Sequence, residues 1–200
     1  DIKKLANSIL IFTIQRLIEI IGIFIFGLGI LFFIALVSYS PTDPNFIFPD
    51  NTEIKNILGF QGSYISDLFL QSIGLITYII PFTYIFTGIN IFKKKELFLI
   101  IENSFFIIIY ILVGSAFFSF YYQDAFLLHI NGNGGFVGNF LNQSFFKKIF
   151  ILNKNIFFYF LLLTIILLFL KSINFNIKNF IKLIKKIAQL IFKTKTKNYT

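Results

Sequence analysis

"LIEIIGIFIFGLGILFFIALVSYSPTDPNF", residues 17 to 46, sets a run of apolar side chains against an abrupt stop. Between Leu17 and Val37 the sole charge is Glu19. At a rise of about 1.5 Å per residue, the run from Leu17 to Ser38 is long enough to cross a hydrocarbon core of roughly 30 Å. Pro41 and Pro44 then fix φ and remove backbone donors, so a helix cannot continue through them. Asp43 and the hydroxyls of Ser38, Ser40 and Thr42 are the residue types that satisfy the backbone of a turn. The stretch reads as a membrane-crossing helix that ends in a built turn.

The rest of the chain has the same character. Hydrophobic residues make up 56% of it and Phe alone supplies 31 of 200 positions, a composition suited to solvation by lipid. Abundant Ile, Phe, Asn and Lys raise hydropathy everywhere, so segment length must identify the spans. Runs of sufficient length occupy Leu17–Ser38, Leu68–Phe92, Leu97–Phe120 and Asn153–Ser172. The last has a shorter apolar heart, Ile156–Leu170, and relies on flanking side chains that snorkel. The expected fold is all-α and integral to the membrane, with four transmembrane helices, ordered outer loops and a basic amphipathic helix on the cytoplasmic side. The first span is too long for a signal-peptide core and reads as an uncleaved anchor. There is no Cys, which excludes disulfides and thiolate metal sites. The chain opens with Asp and contains no Met, and is expected to be a piece of a longer protein.

Cationic loops stay in the cytoplasm, so the lysines orient the spans. Lys3, Lys4 and Arg16 precede the first span, Lys93, Lys94 and Lys95 lie between the second and third, and eight lysines fall between Lys171 and Lys197. The other two loops carry Lys55, Lys147, Lys148 and Lys154 against Asp43, Asp50, Glu53, Asp67 and Asp124. Both termini are therefore expected inside. Residues 1–16 form a cytoplasmic tail in this reading, 17–172 the four-span domain, and 173–200 the basic helix and the start of a linker. In "NIKNFIKLIKKIAQLIFK" (Asn176 to Lys193), Ile177, Phe180, Ile181, Ile184, Ile187, Ala188 and Ile191 share one helical face and Lys178, Lys182, Lys185, Lys186 and Lys193 the other. That is the pattern of a helix lying on the cytoplasmic leaflet. The net charge of +9 thus sits beside membrane ends, where it sets topology instead of marking a nucleic-acid site.

Within the spans, Glu19 and Glu102 lie within about two turns of an expected cytoplasmic end, where a carboxylate can reach water or Lys93–Lys95. Pro81 is expected to kink the second span. Gly22 and Gly29 share a face of the first span, and Ser115 and Ser119 a face of the third, which permits close helix contact. Outside, "NGNGGFVGNFL" (Asn131 to Leu141) reads as a glycine break followed by a short amphipathic helix at the interface. It is no phosphate loop, because no Gly in the chain is followed by Lys. His129 is the only histidine, and no metal or cofactor site is expected.

"SYSPTDPNF" (Ser38 to Phe46) resembles the Ser-aromatic-Ser-Pro-x-Asp-Pro signature that follows the first span of FtsK-type DNA translocases of bacterial division and chromosome segregation. The likeness includes Ser40, Pro41, Asp43 and Pro44. It continues through "NILGFQGSYISDLFLQSIGLITYIIP", where Asn56, Gly59, Gly62, Asp67, Gly74, Tyr78 and Pro81 stand in the family's order. "GGFVGNFL", with Gly134, Gly135 and Gly138, resembles the stretch before the family's fourth span.

The resemblance implies a four-span anchor in the bacterial inner membrane, both termini cytoplasmic, positioned at the division septum. It further implies self-association, as hexamers in the family, and contact with other division proteins. DNA would be engaged only through an ATP- and Mg-dependent motor that this fragment lacks. No catalytic residue carries over, so the fragment is not expected to be an enzyme. If the outer loops are recognition surfaces, replacing Asp43 and Pro44 with Ala is expected to impair septal recruitment or self-association while leaving membrane insertion intact. The competing reading is a small transporter or channel subunit. It would need polar residues such as Glu19, Gln71, Asn90, Glu102 and Asn103 to converge near the middle of the membrane. A membrane-embedded enzyme would need a paired nucleophile and base, which the sequence does not offer.

Overall fold

The computed structural model describes residues 2–44, 53–123, 128, 130–143, 153–176, 178, 181, 182, 185, 186 and 189. Helix α1 is Ile2–Val37, α2 is Gly59–Ile73, a 3-10 helix follows at Gly74–Ile79, and α3 is Ile80–Lys94. Helix α4 is Phe98–Tyr121, α5 is Gly135–Gln143 and α6 is Lys154–Ser172. Among the described residues four segments are long and apolar enough to cross a membrane: α1, the broken segment Gly59–Lys94, α4 and α6. Most of their surface faces outward, with Phe24, Phe105 and Leu163 among many exposed apolar side chains. Lipid is the solvent for which such faces are built, because hydrocarbon imposes no penalty on an exposed Phe or Leu.

Close packing occurs where side chains are small. The most extensive helix contact joins α1 to α3. There a Cβ on Gly22 would lie 2.9 Å from Gly88 O, and one on Gly29 would lie 2.9 Å from Ile85 N. The backbones therefore touch, and dispersion between them replaces the hydrophobic drive that lipid cannot supply. Helices α4 and α6 pair instead through rings: Phe117 and Phe158 have centroids 5.3 Å apart, and Tyr121 and Phe158 5.1 Å. Tyr121 OH also donates to Lys154 O at 2.7 Å, pinning the start of α6 to the end of α4.

Pro81 lies in the first turn of α3, where its missing N–H has no helical partner to lose. The expected kink is therefore displaced: the second span breaks at Gly74–Ile79, and Pro81 starts the new helix. The boundary expected at Leu17 is not a break in the backbone, since α1 is already helical at Ile2. Its 36 residues extend about 54 Å, well beyond one hydrocarbon core. Contact with the bundle begins near Glu19, which is buried, and Ile2–Ile14 are exposed throughout. Of the basic segment, Lys178, Ile181, Lys182, Lys185, Lys186 and Gln189 are helical and, like the start of α1, exposed. The remainder of its apolar face, and His129, lie outside the described residues.

Candidate functional site

The turn that stops α1 is held by its own polar residues. A helix ends with carbonyls that have no partner within it, and in a membrane these must be satisfied by protein. Ser38 Oγ donates to Ile34 O at 2.7 Å, Asn56 Nδ2 to Ala35 O at 2.8 Å, and Tyr78 OH to Leu36 O at 3.4 Å. The returning chain is gripped in exchange. Asp43 Oδ1 accepts from Lys55 N at 3.0 Å and Asp43 Oδ2 from Asn56 N at 2.8 Å, while Ile57 N donates to Ser38 Oγ at 3.2 Å. Asp43 is only 1% exposed, so these are sheltered, charge-assisted bonds.

Around this bracket the remaining motif residues take defined places. Ser40 O accepts from Asp43 N at 3.2 Å and Ser40 Oγ meets Thr42 Oγ1 at 2.9 Å, which closes the turn that contains Pro41. Pro44 is buried and its carbonyl accepts from Ser63 Oγ at 3.0 Å. Gly59 N donates to Asn56 O at 2.9 Å, and Asn56 Oδ1 accepts from Leu58 N at 3.1 Å, which starts α2. Gly62 makes room for Asn56, whose Oδ1 would collide with a Cβ there. Tyr39 OH donates to Asp67 Oδ1 at 2.9 Å, closing the bracket one turn further along α2. Burial and then the Asp67 carboxylate push the Tyr39 phenol above its ordinary value.

A second junction lies where the 3-10 helix meets the glycine break before α5. Gly74 adopts φ 76° and ψ −157°, a region open in practice only to glycine. A Cβ on Gly74 would collide with Asn133 O, and Leu75 N donates to that same oxygen at 2.9 Å. Gly135 faces Gly74 and Ile73 backbone, while Gly134 and Gly138 lie against Ser115 and Ser119 of α4. Ser115 Oγ donates to Ile73 O at 2.7 Å, and Ser119 Oγ to Asn139 Oδ1 at 3.1 Å. Asn131 Nδ2 reaches Gln71 O at 3.2 Å, and Asn139 Nδ2 reaches Asn131 O at 2.7 Å. Helix α5 is thus docked by its glycines while Phe136 and Phe140 stay exposed.

At the other end of the bundle a neutral polar chain joins three helices. Asn174 Nδ2 donates to Asn103 Oδ1 at 2.8 Å, Asn103 Nδ2 to Thr87 Oγ1 at 2.7 Å, and Thr87 Oγ1 to Thr83 O at 2.7 Å. Thr83 Oγ1 also meets Ser172 Oγ at 2.9 Å and Tyr110 OH at 3.1 Å. Asn90 Nδ2 donates to Ile173 O at 3.2 Å. Glu19 pairs with Lys95 at 2.9 Å and with Arg16, as its position near Lys93–Lys95 suggested. Glu102 is exposed.

The sequence motif residues therefore assemble, but as two backbone clasps and not as a reactive centre. Among the described residues no group of three His, Cys, Asp or Glu stands close enough to share a metal ion. Asp43 and Pro44 are interior to this end of the bundle. Among the described residues at this end, Ile57 at 75% exposure, Phe60, Phe136 and Phe140 are exposed apolar side chains, beside exposed Glu53, Lys55 and Gln61. Sequence reading missed Ser63 and Asn139 as clasp members, and the Thr83, Tyr110 and Ser172 cluster entirely. Thr83 and Tyr110 are isolated polar residues in apolar runs, and Ser63, Asn139 and Ser172 sit among other polar residues, with no local pattern to single any of them out.

No curated protein and no solved structure matches the chain. A family model described as the 4TM region of DNA translocase FtsK/SpoIIIE matches residues 15–185.

Proposed function

From the premise that this chain belongs to the FtsK/SpoIIIE family through its four-span membrane region, we propose that it anchors and gathers translocase subunits at the division septum. The observation that carries this reading is the match across residues 15–185, in a chain whose four long apolar helices suit a multi-pass inner-membrane domain. Its action is positional. Holding several copies in one patch of membrane raises the effective concentration of whatever they tether. ATP-driven DNA movement belongs in this reading to a motor outside residues 1–200, and both termini face the cytoplasm. Contacts with other copies and with division proteins are made by the apolar outer surface of Ile57, Phe60, Phe136 and Phe140, and the clasps beneath it keep that surface in shape.

The transporter alternative is disfavoured by where the polar residues go. Gln71 lies beside Tyr39 at the outer clasp, Asn90 and Asn103 bind the end of α6, and Glu19 is neutralised by Lys95 and Arg16. They converge on no shared path.

The test is a fluorescent fusion of residues 1–200 expressed in dividing bacteria, with cysteine cross-linking at Ile57 and Phe136 between copies. Septal enrichment and intersubunit cross-links are expected. An even distribution around the cell, with no cross-linked species, would remove both parts of the reading.

A further inference from the structure

Lys94, on the last turn of α3, and Lys171, on the last turn of α6, line a cleft of about 560 Å³ together with Lys178, Glu102, Leu167 and Leu170. The ion pairs among the described residues are Arg16–Glu19 and Lys95–Glu19, so Lys95 has its carboxylate while its neighbour Lys94 has none. Three ammonium groups against one carboxylate leave an excess of two positive charges at the rim. Like charges on one rim repel, and a bound anion relieves that repulsion.

Two further features define the anion. Leu167 and Leu170 continue the wall of the cleft along α6 toward the apolar part of the bundle, so the site is cationic at its mouth and apolar below. The volume falls in the range that takes a whole organic ligand, far more than a lone phosphate needs. The walls are also fixed before anything binds. Asn174 takes a left-handed φ of 53° directly after α6 and donates to Asn103 of α4, and Asn90 of α3 holds Ile173 O. Lys94 and Lys171 are thereby presented from elements tied to one another, which lowers the ordering cost of binding.

We propose that this cleft is a binding site for an anionic phospholipid of the surrounding bilayer, its phosphate held by Lys94, Lys171 and Lys178 and an acyl chain lying on Leu167 and Leu170. Basic pockets between membrane helices recognise anionic headgroups through this combination of charge and apolar wall. Glu102 lines the same cleft and weakens its attraction for any anion.

The experiment is native mass spectrometry of the detergent-solubilised chain titrated with phosphatidylglycerol, cardiolipin or phosphatidylcholine. Retention of the two anionic lipids and loss of phosphatidylcholine are expected. Lys94→Gln, Lys171→Gln and Lys178→Gln should each weaken retention roughly fivefold, the loss of one lysine near a lipid phosphate. Glu102→Gln should strengthen retention, an effect of opposite sign that a merely misfolded variant cannot produce. The Lys3→Gln/Lys4→Gln pair, at the far end of α1, should change nothing. Equal retention of all three lipids would overturn the proposal, as would equal weakening by the Lys3 and Lys4 changes. Displacement of bound lipid by millimolar inorganic phosphate would also overturn it, by showing that a free anion suffices.

Discussion

The two clasps at the end of the bundle where α1 turns into α2 satisfy irregular backbone by different means. Around Asp43 the work is done by atoms that are present: a carboxylate, an amide and hydroxyls reach across to N–H and C=O groups of another segment. Around Gly74 side-chain bonds such as Ser115 Oγ to Ile73 O are joined by atoms that are missing, because only without Cβ groups can the backbones of residues 73–75 and 133–135 touch. A side-chain clasp fails by losing bonds, which leaves buried polar groups unpaired. A glycine clasp fails by collision, which pushes whole elements apart.

That contrast predicts a graded response, read as thermal unfolding of the detergent-solubilised chain. Gly74→Ala should have the largest effect, about 4 kcal/mol or loss of the folded species, since it adds collision with Asn133 O to a backbone region that L-residues avoid. A loss under about 1 kcal/mol would show that the junction can open cheaply. Asp43→Asn comes next, at about 2 kcal/mol, because one acceptor oxygen and the charge are lost while the shape is kept. If it matched Gly74→Ala, the distinction between the clasps would fail.

Gly59→Ala sharpens the comparison from within. Gly59 also has positive φ, at 66°, but nothing lies within 4 Å of a Cβ there. Only the conformational strain remains, about 1 to 2 kcal/mol. Tyr39→Phe should cost about 1 kcal/mol, the worth of its bond to Asp67. Its pH dependence has a definite sign. The folded protein holds the Tyr39 phenol above its ordinary value, so the stabilisation is complete below the unfolded value of about 10 and is lost as pH rises toward the folded one. The stability gap between the unaltered chain and the Tyr39→Phe variant should therefore stay constant from about pH 6 to 9 and change only above about pH 10. A gap that varies near neutrality would place another titrating group in the clasp.

The spans were legible because length and hydropathy are properties of single segments, and Leu97–Phe120 differs from α4 by one residue at each end. The glycine faces were legible for a related reason: Gly22 and Gly29 fall on one side of a regular helix, and Ser115 and Ser119 on one side of another. The break at Gly74 was less so. Pro81 carries the more familiar signal, yet a proline in the first turn of a helix disturbs nothing, and the residue that needs an unusual conformation sits before it. The burial of Asp43 could not be read locally at all. An aspartate between two prolines looks like a solvated turn until Lys55 and Asn56, 12 and 13 residues further on, bond to it. The chain from Thr83 to Asn174 joins residues from three helices and is a product of packing alone.

The tie between Asn174, Asn103 and Thr87 also decides how the domain bears load. A pull on the backbone beyond Phe175 does not meet the last turn of α6 by itself. It is passed at once through Asn174 into α4 and through Ile173 O into α3, and from α3 into the glycine contact with α1. A load applied there is thus shared between α6, α4 and α3 and, through the glycine contact, with α1.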